Sequence, residues 1–212
     1  MTNFIPIFPL GIVVYPGEQL NLHIFEPRYK QLINDCFAGK KPLGIPAVLD
    51  NKMGEMGTLV EIKEITKTYE DGKMDVKTEG LEVFKILEII KELPEKLYSG
   101  AIVTYPGNVK KSSPTKMKLV LTGIRQLHAQ LNVTKEFAKP DNELTSFDVA
   151  HHAGLSIEEE YRLLELPQEL QRLEFLKRHL AKVLPIMKHM DMLKGKIKMN
   201  GHFKNLEGFK FS

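Results

Sequence analysis

The residues of this chain best suited to chemistry are two adjacent histidines and three adjacent glutamates. His151 and His152 lie in a segment of helical pattern, where neighbouring side chains point in different directions, so a metal ion shared by both is not expected. The run 158–160 fits a solvated helix face, and Ser156 with Glu159 has the spacing of a capping box. The sequence predicts no catalytic residue, no metal ligand and no cofactor.

The cysteine and glycine patterns give the same result. Cys36 is the only cysteine and falls on the apolar side of a helical pattern, which favours a small core residue over a reactive thiol. The phosphate-binding loop G-x-x-x-x-G-K-[ST] is missing, because each Gly-Lys pair lacks the earlier glycine at the required spacing. We therefore expect no ATPase activity.

The strongest candidate for binding is a methionine-containing loop at 50–57. Met53 and Met56 are flexible thioethers, and Gly54 and Gly57 flank them, which suits an adaptable apolar contact surface. A mobile loop without a partner is the equally weighted alternative. Under the first interpretation, both methionines contact polypeptide.

The run 24–29, Ile-Phe-Glu-Pro-Arg-Tyr, supplies the aromatic candidates. Phe25 and Tyr29 are the two further residues that we assign to polypeptide contact. Glu26 and Arg28 between them form either a recognition pair or, as we prefer, charges at a helix N-terminus.

The elements that position these residues fall into two groups. Up to about residue 109, alternating patterns predict short strands broken by turns, with one helix beginning at Pro27 and ending at Gly39. The predicted strands are Ile5–Phe8, Gln19–Ile24, Leu43–Val48, Thr58–Thr66, Met74–Thr78, Val83–Ile90 and Tyr98–Tyr105. Asp71-Gly72 predicts a hairpin turn, and Gly80 a bulge or bend. This part of the sequence favours a partly closed barrel.

From residue 112 the pattern becomes helical. The run 112–115 predicts a linker that caps a helix of about four turns, and a short helix ending at Gly154 and two further helices follow. Pro185 is expected to kink or weaken the end of the last helix. The second half is predicted to be a small helical bundle.

Composition and charge limit the function classes. The chain has 212 residues and a formal net charge of +3, but the six lysines and two acids from Lys188 onward contribute +4, so the body has no basic excess. Phe203, Phe209 and Phe211 accompany these lysines, which is typical of a nucleic-acid segment or, as we prefer, a disordered or partner-docked end. No secretory signal or membrane span is evident, and the lone cysteine fits a reducing cytosol, so a cytoplasmic location is expected.

Several motifs, in order along residues 4–190, resemble the N-terminal substrate-binding domain of the Lon proteases. The matching pieces are Pro6–Leu10, Tyr15–Gly17, Ile24–Tyr29, Gly57-Thr58 with Glu61-Ile62, Gly80-Leu81 before Val83-Phe84, Ala150–Ser156, and Leu163–Leu166 through Arg172-Leu173. Each motif is mainly structural, and together they are specific. The chain resembles the stand-alone form of this domain, without the ATPase and Ser–Lys protease modules of the full enzyme.

The resemblance implies an α+β fold: a PUA-like β-barrel, or pseudo-barrel, with one inserted helix, followed by a C-terminal helical bundle. Its barrel half would be related to cereblon-type proteins. We expect a barrel subdomain at 1–109, a helical subdomain at 115–190 and a basic tail at 191–212.

The implied function is non-catalytic binding of unfolded or apolar polypeptide segments, with a role as an adaptor for a separate protease in protein quality control as one form of it. RNA binding by a PUA-like barrel is the alternative. It rests on fold analogy alone, and the lack of a basic barrel half weighs against it.

Overall fold

The computed structural model describes the backbone of residues 2–203, with side chains except those of residues 190, 191 and 193–203. This part of the chain forms an antiparallel sheet and a group of helices. The strands are β1 (Thr2–Pro6), β2 (Gln19–Ile24), β3 (Leu43–Leu49), β4 (Lys52–Thr68), β5 (Met74–Ile90) and β6 (Gly100–Thr104). The helices are α1 (Pro27–Gly39), α2 (Pro114–Leu131), α3 (Ser146–Val149), α4 (Ile157–Glu165) and α5 (Glu169–Phe203), with a 3-10 turn at Ala150–His152.

The sheet has the strand order β1-β6-β5-β4-β3, and β2 pairs with the first half of β5. Two isolated parallel bridges, Ile7 to Gly44 and Leu10 to Ala47, connect the chain after β1 to β3. The α+β class and the antiparallel sheet are confirmed. The strand order is open, however, so the predicted barrel is not confirmed.

The strand-to-helix junction was predicted correctly. β2 has the predicted bounds, and α1 begins at Pro27, whose missing N–H is unneeded in a first turn. After Gly39, Lys40 adopts a left-handed conformation (φ 48°), and its N–H donates to the carbonyl oxygens of Cys36 and Phe37. The local pattern was therefore sufficient to define this junction.

The first strand begins and ends earlier than predicted, at Thr2–Pro6 instead of Ile5–Phe8. The backbone N–H of Ile7 donates to Ser99 and that of Phe8 donates to Gly44, on two different neighbours. The chain thus changes partners after Pro6, which ends regular pairing with β6.

The central hairpin is longer than predicted. The turn at Asp71-Gly72 is present, with Gly72 at φ 75°, but the two strands predicted after it are one strand, β5. Pairing shifts register where Val60 faces Gly80, and a Cβ at Gly80 would overlap the backbone carbonyl of Tyr15. The glycine therefore marks a bulge inside one continuous strand.

The helical half follows the predicted caps. The hydroxyl of Ser113 accepts from the N–H of Lys116 at the start of α2, and Ser156 with Glu159 forms the capping box of α4. α5 continues through Pro185 to Phe203, so the proline does not end the helix. Apart from Met192, the side chains of the predicted tail, and all of residues 204–212, lie outside the described residues.

One hydrophobic cluster joins the sheet to the helices. Tyr15, Ala47, Met56 and Val83 from the sheet half pack with residues of α2, α3, α4 and α5. A second hydrophobic cluster lies between α1 and the sheet, and a third is formed by residues of β1, β4, β5 and β6 with Ile7. The division into subdomains at 109 and 115 stays a prediction. No helix among residues 2–203 is long and apolar enough to cross a membrane.

Candidate functional site

Two of the four predicted contact residues line the same cavity. Tyr29 of α1 and Met53 of β4 border an opening of about 210 Å³, together with Arg28, Ile89, Leu97 and Tyr98. We call this opening the Tyr29–Met53 groove. Phe25, 58% exposed, lies just before α1, whereas Met56 is buried. The structure therefore brings Tyr29 and Met53 together and separates Met56 from them.

The orientation of Tyr29 is fixed by its neighbours. Its ring packs against that of Phe8, with centroids 4.2 Å apart, and the guanidinium of Arg28 lies 4.6 Å from its centroid. Burial raises the pKa of the Tyr29 hydroxyl. Glu26 accepts from Arg28 at 2.9 Å instead of capping the helix, so the two charges pair with each other beside the aromatic ring.

The other wall of the groove is apolar and open to solvent. Leu97 is 65% exposed and Ile89 is also exposed. Both residues were missed in the sequence analysis. Leu97 could have been noticed as an apolar residue that directly follows the charged pair Glu95-Lys96. The groove can therefore take an apolar side chain against Met53 and Leu97, with Arg28 at its rim.

The prediction of an exposed methionine loop at 50–57 was wrong. Only Asp50 and Asn51 form the turn, and β4 begins at Lys52. The N–H of Met56 donates to the hydroxyl of Tyr161 at 2.9 Å, and the Met56 side chain is only 7% exposed. Helix α4 thus holds this segment against the core.

The two glycines of this segment, Gly54 and Gly57, allow aromatic side chains to pack close to the backbone. A Cβ at Gly54 would lie 2.7 Å from the Tyr161 hydroxyl, and one at Gly57 would lie 2.6 Å from the ring of Phe84. Both distances are shorter than real contacts allow, so the two positions need glycine because a ring lies on the backbone. The sequence pattern suggested a flexible loop, whereas in the structure aromatic rings pack directly against the backbone of this segment.

His151 belongs to a contact between the two halves. Its Nδ1 lies 2.7 Å from Glu160 of α4, and its Nε2 lies 3.2 Å from Glu18, just before β2. Burial acts to lower the pKa of His151, but hydrogen bonds and attraction from Glu160 and Glu18 outweigh it and raise the pKa to about 9. His151 is therefore a charged link that joins the loop before β2 to α4.

His152 has different neighbours. Its ring lies 5.7 Å from that of His128, and burial, followed by repulsion from His128, lowers its pKa. Within the described part of the chain, no group of three or more histidine, cysteine, aspartate or glutamate side chains is arranged to hold a metal ion.

A buried ion pair, Arg172 with Glu169, lies in the helical half. Arg172 donates to Glu169 at 3.0 Å, and both side chains are almost fully buried. Arg172 also donates to Asn108, in the segment that leads to α2, while Glu169 accepts from Ser146. Because each polar group has partners, the pair is satisfied and offers no open position for a ligand.

This chain belongs to the family of substrate-binding domains of the ATP-dependent protease La (LON), whose model matches residues 5–182. It is 24% identical over 204 residues to Lon protease 1 of Herpetosiphon aurantiacus and 26% identical over 201 residues to Lon protease of Syntrophomonas wolfei. Each match covers 86% of this chain. The chain spans only about a quarter of the length of these relatives.

Two solved structures share the fold. A Lon N-terminal domain protein from Xanthomonas campestris superposes with a TM-score of 0.61 at 22% identity, covering 82% of this chain and 96% of that one. The N-terminal domain of a Lon protease from the Mycobacterium avium complex gives 0.60 at 15% identity, covering 84% and 98%. The predicted resemblance is thus confirmed.

Proposed function

We propose that this chain is a non-catalytic module that binds unfolded or apolar polypeptide segments. The observation that carries the proposal is the match of a substrate-binding family over residues 5–182. The Tyr29–Met53 groove gives it a physical basis, because exposed apolar walls beside two cationic side chains, Arg28 and Lys91, suit an extended polypeptide.

Phe25 is a further contact in this proposal. Its ring is exposed and lies 6.4 Å from that of His23, and the backbone leads from Phe25 directly into α1 and Tyr29. An aromatic ring here enlarges the apolar surface that a flexible polypeptide can cover. Met56 contributes only through the core, since its side chain is buried.

Binding of fluorescently labelled casein, an unfolded protein, tests the proposal. We expect Leu97→Ser to weaken binding about fivefold, because it removes exposed apolar area from the groove. Leu119→Ser is the matched control, since Leu119 is 54% exposed on α2 and does not line the groove. Equal losses in both variants, or no binding by the wild type, would refute the proposal.

Salt dependence separates this proposal from the RNA-binding alternative, to which the comparisons give no support. Apolar capture should change little between low and moderate salt, whereas RNA binding should weaken steeply. The purified chain should neither hydrolyse ATP nor cleave casein. If it acts as an adaptor, adding it to a separate Lon-type protease should speed degradation of the bound casein.

A further inference from the structure

We propose that the free edge of β1 binds an extended polypeptide segment as an added strand, an inference that rests on the polypeptide binding proposed above. β1 ends the strand order, and within the described residues its regular pairing is with β6 alone. Residues 3–6 all border one cavity of about 810 Å³. Since neighbouring side chains of a strand point to opposite faces, four consecutive residues share a cavity only along the backbone edge.

Two hydrogen bonds show which backbone groups face this edge. The N–H of Ile7 donates to Ser99 at 3.0 Å on the β6 side, and the N–H of Phe8 donates to Gly44 at 2.8 Å on the β3 side. N–H directions alternate along an extended chain, so the N–H of Phe4 points away from β6. Pro6, two residues after Phe4, is also a position where an N–H would point away from β6, but proline has no N–H. A proline at such a position is typical of an edge strand.

The walls of this edge cavity suit apolar side chains. Cys36 and Ala38 of α1 form one wall, and Leu93 and Tyr98 border it before β6. Phe4 is 51% exposed, and its ring lies across Gly100, where a Cβ would overlap it. An added strand would therefore bury apolar side chains while pairing with the Phe4 backbone.

The charges of the cavity indicate the composition of the bound segment. Lys96 pairs with Asp35 at 2.8 Å, and this hydrogen bond lowers the pKa of Asp35. Lys41 also borders the cavity and forms no ion pair with any described residue. The site thus has one uncompensated positive charge. The occupant that fits is a mainly apolar extended segment with an acidic residue.

The edge cavity lies beside the Tyr29–Met53 groove. Tyr98 borders both openings, and Pro6 and Ile7, consecutive in the chain, border one each. The two openings therefore share Tyr98 as a common wall. The edge adds backbone hydrogen bonds, which do not depend on client sequence, to the side-chain contacts of the groove.

The test compares Phe4→Pro with Phe4→Leu, since both remove the ring but only proline removes the N–H facing the edge. By the same alternation the N–H groups of Asn3 and Ile5 face β6, and they remain in both variants. We expect casein to bind Phe4→Pro about fivefold more weakly than Phe4→Leu, the effect of one lost hydrogen bond. Matching urea midpoints would show that both variants are folded.

Modified peptides provide a second measurement that leaves the protein unchanged. N-methylation at successive positions of a casein-derived peptide should weaken binding at every second position, because only alternate N–H groups face β1. Binding without this period would overturn strand addition. In the wild type, a peptide with glutamate should bind about threefold more tightly than its glutamine counterpart, and Lys41→Gln should remove the difference. A persistent difference would overturn the role of Lys41.

The outcomes separate the two proposals. If the wild type binds casein and Phe4→Pro binds as well as Phe4→Leu, strand addition fails and the proposed function stands. If the wild type does not bind casein, both fail. A wild-type dimer that Phe4→Pro converts to a monomer would assign the edge to a second copy of this chain, and would also overturn the inference.

Discussion

The phenol hydroxyl of Tyr15 donates a hydrogen bond to the backbone carbonyl of Glu160, 3.0 Å away and 145 positions later in the chain. Tyr15 is fully buried, and burial raises the pKa of its hydroxyl. Its ring stacks on Phe147 at 5.2 Å and lies 4.8 Å from His151. This residue therefore joins the strand-rich half to α3, to the 3-10 turn and to α4.

We expect Tyr15→Phe to lower the free energy of unfolding by about 1 kcal/mol, because it removes one buried hydrogen bond and keeps the ring. Urea denaturation measures the change. Tyr69→Phe is the control, since the Tyr69 hydroxyl donates to Asp75 at the protein surface and should cost much less. Equal costs for the two variants would contradict the structural role of Tyr15.

Stability should fall between about pH 6.5 and pH 9 because of His151. The pKa of this histidine is raised from 6.5 to about 9, so the folded state holds its proton more tightly than the unfolded state. The stabilisation is complete below the unfolded pKa and is lost as the pH rises through the folded pKa. Denaturation of wild type and His151→Gln across this range measures it. An equal pH dependence in both proteins would exclude His151 as the cause.

Gly57→Ala should destabilise the fold by about 1–3 kcal/mol, because the added Cβ would overlap the carbonyl of Ile45 and the ring of Phe84. Gly107→Ala is the matched control, since a Cβ there meets nothing within 4 Å. Thermal unfolding of both variants provides the comparison. If Gly57→Ala were as stable as the wild type, β3 and β4 would have to move apart at little cost in free energy, which would contradict the prediction.

The two methionines should respond differently to replacement by serine. Met56→Ser should cost about 2–5 kcal/mol of stability, because the side chain packs in the core shared by sheet and helices. Met53→Ser should preserve most of the stability and weaken casein binding, because Met53 lines the groove. Urea denaturation and casein binding measured on each variant test this. Loss of binding by Met56→Ser while it remains fully folded would contradict the assignment.

Sequence reasoning succeeded where the determining contacts are local. Pro27 and Gly39 bound α1, and Ser156 with Glu159 caps α4, because these signals act within one helical turn. The family resemblance implied a strand-rich part with one helix, followed by a group of helices, and the structure has this order. It also implied a barrel, which the open strand order does not confirm.

The candidate site was harder to predict because its determinants are distant in sequence. Tyr161 holds the segment around Met56 from 105 positions away, which no local pattern reveals. Likewise, Leu97 joins Tyr29 at the groove only because β5 and β6 place the connecting segment beside α1. The predicted exposed loop was therefore wrong, and polypeptide contact by Phe25 and Tyr29 stays a prediction.

The core shared between the two halves limits how this binding surface can be transferred. Tyr15, Ala47, Met56 and Val83 are covered by helices from the other half, so a fragment ending at residue 109 would present them to water. Such a fragment is expected to aggregate or to recruit a substitute helix. Grafting the groove onto another protein would thus require the helices as well, and the smallest transferable unit includes both halves.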